Sequence, residues 1–124
     1  MPVRIVAWKE PTWFVPNADR ALWHLLTRAY CVDLEMVDPG KPPKFQEDET
    51  VVLFDEQGKT SLHDYDHPEN AVYVFGRTHQ NNLLEMDHDD SVVIEYPGKS
   101  MLFGVTACAI ALDDRYRKLN GRND

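Results

Sequence analysis

Two stretches of this sequence run from apolar residues into glycine and then turn polar. One is Val74-Phe75-Gly76-Arg77-Thr78-His79, and the other is Ile94-Glu95-Tyr96-Pro97-Gly98-Lys99-Ser100-Met101-Leu102-Phe103-Gly104. Glycine admits positive φ and lets a backbone pass close to a ligand. If each apolar run is a strand of an open α/β sheet, both turns lie in the crevice beyond the strands' carboxyl ends, where such sheets bind ligands. Strand–glycine turns also serve only to redirect the chain in many α/β folds, so spacing alone leaves both readings open.

Other residue types invite chemistry more loosely. Arg20, Arg28 and Arg77 are the side chains suited to handling a substrate, although salt bridging to the many carboxylates accounts for them equally well. His79 is placed to act as a base beside a ligand, or is simply a solvated loop histidine. His63-Asp64-Tyr65-Asp66-His67 and Asp87-His88-Asp89-Asp90 mix imidazole and carboxylate at chelating distance. No helix fixes their geometry, so they read as solvated acidic loops and no metal site is assigned. Trp8, Trp13 and Trp23 offer stacking surfaces for bases but fit core or dimer packing better. Arg115, Arg117, Lys118 and Arg122 form the basic cluster of the chain, suited to phosphate contact or to the negative end of a helix dipole.

The elements that must position these residues follow from periodicity. Val3-Arg4-Ile5-Val6-Ala7-Trp8 reads as a buried first strand. Residues 18–30 space Ala21, Leu22, Leu25, Leu26 and Ala29 by three and four, an amphipathic helix with Asn17 or Asp19 as its N-cap. Residues 32–37 alternate apolar with acidic, a second strand, and the Pro-rich segment 38–50 is a long loop. Residues 51–54, 71–75 and 91–95 read as further strands, with polar connections at 61–70 and 77–90. Residues 101–119 read as a C-terminal helix with a stripe of Leu102, Val105, Cys108, Ala109 and Leu112. Near-continuous apolar strands imply a sheet covered on both sides. The expected fold is α/β: a mostly parallel five-stranded sheet with helices on both faces, in one domain spanning 1–124.

Composition narrows the classes. The 124 residues suit one core and not two, and 43% are hydrophobic, which excludes a disordered chain. Thirteen Lys and Arg stand against 21 Asp and Glu, giving a formal charge of −8. A broad basic face for coating nucleic acid is therefore excluded. No run is long enough to cross a bilayer, no signal-peptide core follows Met1, and Cys31 and Cys108 fit neither a disulfide framework nor a zinc pattern. Both cysteines read as small buried hydrophobes in a reducing compartment, so the expected location is the cytoplasm.

The glycine turns also carry a family resemblance. Asn70-Ala71-Val72-Tyr73-Val74-Phe75-Gly76 resembles the second conserved motif of the SpoU/TrmH branch of the SPOUT RNA methyltransferases. Val93-Ile94, Pro97-Gly98, Met101-Leu102-Phe103, the Ala-rich 107–112 and Asp114, Tyr116 and Arg117 resemble its third, and 17–33 is similar to its Asn-led first helix. The resemblance implies a C-terminal trefoil knot, a homodimer, and S-adenosylmethionine bent against Phe75, Gly76, Arg77, Ile94, Glu95, Tyr96, Gly98, Met101 and Leu102. It implies methyl transfer to tRNA or rRNA, usually to a ribose 2′-hydroxyl, with Arg20 or Arg28 as the catalytic arginine. The pattern departs at Thr78, where the family has glutamate, at Phe103, where it has asparagine, and at Met101, where it has serine. These departures leave a second expectation: a protein of the same fold that binds the cofactor or a nucleoside without transfer.

Overall fold

The computed structural model describes residues 3–8, 16–38, 43–75, 86–98 and 104–120. In chain order these form β1 (Val3–Trp8), α1 (Pro16–Ala29), β2 (Asp33–Val37), β3 (Thr50–Phe54), β4 (Thr60–Ser61), a 3-10 turn (Leu62–Asp64), β5 (Ala71–Phe75), β6 (Asp90–Val93) and α2 (Gly104–Leu119). The strands make one sheet in the order β2-β1-β5-β3-β6-β4, and every pairing is parallel. The α/β class expected from the sequence is observed, with six strands in place of five. The additional strand is two polar residues long and pairs at the sheet edge with Val92 and Val93, so no apolar pattern announces it. No helix of the described residues is long and apolar enough to cross a membrane.

Burial explains the sequence pattern. Every residue of β5 is buried, as is every residue of β3 except Thr50 and of β1 except Arg4. Edge strand β2 keeps the alternation of its acidic residues. Side chains alternate between the two faces of the sheet. On one face Ile5, Tyr73 and Val52 share a row, and Ala7, Phe75, Phe54 and Val92 share the next. Trp23 of α1 and Cys108, Ala111 and Leu112 of α2 pack on these rows. The other face carries Val6, Trp8, Val37, Val51, Leu53, Val72 and Val74, met among the described residues by Phe45 and Met86. Both described α-helices lie on the first of these faces, and the expectation of helices on both reaches into segments outside the described residues.

Local details differ from expectation for physical reasons. Helix α1 begins at Pro16, so Asn17 and Asp19 lie inside its first turn and neither is the N-cap. Proline suits that position because its missing N–H would have had no intrahelical partner. Helix α1 ends in paired bonds from Cys31 N–H to Arg28 O and Val32 N–H to Thr27 O, with Cys31 at φ 55°. This is a Schellman cap, normally closed by glycine. Cys31 is therefore exposed, a correction to its reading as buried, whereas Cys108 is buried and its thiol pKa is raised by desolvation. Strand β6 stops at Val93, leaving Ile94 and Glu95 beyond its end. The buried stripe of α2 is Cys108, Ala111, Leu112 and Arg115. Gly58 is required by contact, since a Cβ there would lie 2.4 Å from the Val92 carbonyl carbon. The expected knot is a question of how 76–85 and 99–103 thread, and these segments lie outside the described residues.

Candidate functional site

Because all strands are parallel, their carboxyl ends share one edge of the sheet. Helix α1 follows β1 there, and the start of α2 returns to it. Trp23 marks the convergence. Its ring is tilted against Phe75 at 5.9 Å between centroids, and a Cβ on Gly104 would come within 3.1 Å of it. Phe75 in turn stacks on Phe54 at 4.7 Å with planes 14° apart. Trp23 is 2% exposed, and its indole N–H is met by the Asp19 carboxyl. A buried indole needs such a partner. Asp19's own pKa is raised, chiefly by burial. The edge therefore rests on a fixed aromatic floor, and Trp23 packs in the core as its sequence context suggests.

The predicted ligand residues divide by location. Phe75 ends β5 with its side chain buried in that floor, so what it presents beyond the strand is backbone. Ile94 and Tyr96 are half-buried just past β6, and Glu95 is exposed. Among the described residues Gly98 faces open space, none of them having an atom within 4 Å of where a Cβ would stand. Glu95 accepts a hydrogen bond from the Ser61 hydroxyl at 2.8 Å, which ties the chain beyond β6 to β4. Gly76, Arg77, Met101 and Leu102 lie outside the described residues, as do Thr78, His79, Phe103 and Trp13. Arg20 and Arg28 are both exposed on α1. Arg20 is one turn before Trp23, on the side of the carboxyl edge. Arg28 is in the last turn, toward the opposite edge, where β2 begins.

That opposite edge holds a buried polar cluster which the sequence pattern does not reveal. His67 Nε2 lies 2.7 Å from Asp114 Oδ2, and its Nδ1 bonds the Tyr73 hydroxyl. Arg115, 4% exposed, donates to the carbonyls of Pro68 and Glu69 at 2.6 and 2.9 Å and to the Tyr73 hydroxyl at 3.0 Å. Lys118 donates to the carbonyls of Leu62, His63 and Tyr65 and pairs with Asp114 at 3.0 Å. Tyr65 donates to Asp90 at 2.6 Å. Burial raises the Tyr73 pKa to about 12, against the opposing effect of Arg115, and raises that of Tyr65 as well. Thus Tyr65 and His67 are not solvated, although their neighbours His63, Asp64 and Asp66 are exposed. The basic cluster is also engaged internally: Arg117 pairs with Asp113 at 2.8 Å, and Arg122 lies outside the described residues. Beside this cluster opens a cleft of about 210 Å³ lined by Val3, Tyr30, Leu112, Arg115 and Leu119. No group of three His, Cys, Asp or Glu among the described residues is arranged to hold a metal.

No family model and no curated protein matches the chain. Among solved structures it is similar to one solved for insight into the 2-OH methylation of C/U34 on tRNA. The identity is 15% and the TM-score 0.76, over 96% of this chain and 91% of that one. It is also similar to the SpoU methyltransferase AviRb from Streptomyces viridochromogenes in complex with the cofactor AdoMet. There the identity is 19% and the TM-score 0.61, over 94% of this chain and 47% of that one. The likeness shows a fold shared with these methyltransferases, in agreement with the resemblance carried by the glycine turns.

Proposed function

We propose that the protein is an S-adenosylmethionine-dependent RNA methyltransferase of the SpoU/TrmH type, transferring to a ribose 2′-hydroxyl of tRNA. The observation that carries this reading is extent. The likeness to the structure concerned with tRNA 2-OH methylation takes in 96% of this chain and 91% of that one, so it is a likeness of whole folds. In this reading S-adenosylmethionine lies beyond β5 and β6, beside Phe75 and 94–98, with Gly76, Arg77, Met101 and Leu102 assigned to it by the family resemblance. The cofactor supplies an electrophilic methyl group when bound. Trp23 and Phe75 support the sheet edge beneath this site, and the acceptor must be in line and must lose its proton.

Leu22 and Leu25 on α1 and Ile110 and Tyr116 on α2 are exposed at 40–61% on the helical layer. An apolar surface of this kind suits pairing with a second copy. In such a homodimer Arg20 or Arg28 reaches the acceptor site, in its own protomer or across the interface. A cytoplasmic location suits two free thiols. A second reading, cofactor binding without transfer, is favoured by the internal engagement of Arg115 and Lys118, whose bonds to loop carbonyls occupy them within the chain.

Calorimetric titration with S-adenosylmethionine and S-adenosylhomocysteine tests the site, with Gly98→Trp as the control that the open surroundings of Gly98 let fold. One saturable site per protomer, lost in the control, supports both readings, and methyl transfer to bulk tRNA then separates them. Absence of binding at millimolar cofactor overturns both.

A further inference from the structure

The hydrogen-bond directions in the buried cluster can be assigned from donor and acceptor counts. Arg115 has only N–H groups to offer, so the Tyr73 oxygen accepts from it at 3.0 Å. Tyr73 then donates its own proton to His67 Nδ1, and His67 donates from Nε2 to Asp114. The imidazole is therefore neutral, with its proton on Nε2. Its side chain is fully buried. The groups facing it are Asp114, Arg115 and Lys118 from α2, Tyr73 from β5, and Tyr65 from its own segment, itself bonded to Asp90 of β6.

We propose that His67 is an acid-sensitive latch which holds residues 66–69 on α2 and releases them when the ring takes a second proton. A proton on Nδ1 takes away the acceptor of the Tyr73 hydroxyl proton, which leaves that buried donor without its partner. The new charge also faces Arg115, whose bonds to Pro68 and Glu69 hold the same segment. Lys118 retains the carbonyls of Leu62, His63 and Tyr65, so opening is confined to the chain between that anchor and β5.

Burial lowers the His67 pKa, with Asp114 opposing and Lys118 and Arg115 assisting. A depressed histidine means that the open state binds the proton more readily than the latched one. The latch is then stable above the ordinary histidine pKa and weakens as pH falls below it. Between about pH 6.5 and the lowered pKa, the opening equilibrium rises about tenfold per pH unit.

The test is a pH series from 8 to 5 on the uniformly 15N-labelled protein, reading by NMR the imidazole nitrogens and the solvent exchange of the Arg115 guanidinium N–H groups that hold Pro68 and Glu69. The expected result is a neutral Nε2–H ring at His67 that titrates below the ordinary histidine range, with protection of the Arg115 N–H groups falling about tenfold per pH unit in that window. The amides of Ile5 and Val74, in the central strands, keep theirs. His67→Gln should make the Arg115 protection independent of pH. A ring that titrates in the ordinary range, protection unaffected by protonation, or simultaneous loss at Ile5 and Val74 would each overturn the latch. These readouts on the wild-type chain decide the matter even if the variant does not fold, and none depends on cofactor or RNA.

Discussion

The two edges of the sheet are built on opposite plans from the same two helices. At the carboxyl edge, α1 and α2 approach through a large ring and a missing side chain, Trp23 against Gly104, above stacked Phe75 and Phe54. At the amino edge, the last turns of α2 send Arg115 and Lys118 to five loop carbonyls, and Asp114 to His67. Buried carbonyls must be satisfied, and here long cationic side chains do it. One edge is a rigid apolar support with backbone presented beyond it, and the other is closed by polar bonds within the chain. Richness in His, Asp and Arg therefore marks the closed edge, while the candidate site is marked by glycine and aromatic residues.

The strongest way to break this contrast is Arg115→Leu, which leaves the carbonyls of Pro68 and Glu69 and the Tyr73 hydroxyl without their donor. A loss of about 3–5 kcal/mol in urea unfolding is expected for so buried a charged donor. A loss no larger than that of a surface substitution would mean the amino edge is not closed in this way. At the other edge, Gly104→Val pushes into the Trp23 ring and should cost about 2 kcal/mol, with a shift in Trp emission. It should weaken cofactor binding but leave the His67 titration unchanged, which sharpens the separation of the two edges. Unaltered binding would detach the start of α2 from the site. The smallest effect is expected at the Schellman cap, where Cys31→Gly relieves a left-handed backbone and should stabilise by up to about 1 kcal/mol. A thermal melt that falls instead would show the Cys31 side chain to have a compensating contact.

The first strand and the central strand are legible to the residue, because Val3–Trp8 and Ala71–Phe75 are apolar runs bounded by polar or Gly and Pro residues. The start of α1 is harder to place, since the capping residues at 17 and 19 compete with Pro16 as its marker. For the candidate site, the placement of Tyr96 and Gly98 beyond a strand end is legible, as is the identification of Phe75 as the last strand residue, whereas Ile94 and Glu95 read as part of a strand that in fact stops at Val93. That Phe75 turns its ring into the core is not, because it depends on facing Phe54 and Trp23.

What the sequence determined by itself is local: which runs are strands, which stripe makes a helix, and where glycine and proline turn the chain. Those properties depend on neighbours a few residues apart, within reach of a period of 2 or 3.6. The tertiary structure alone decided the strand order, the edge strand Thr60–Ser61, and the fate of the polar residues around His67. His67 meets Asp114, and Pro68 meets Arg115, across 47 residues of chain in each case. Whether a histidine is solvated or buried is settled by partners that only the fold brings to it.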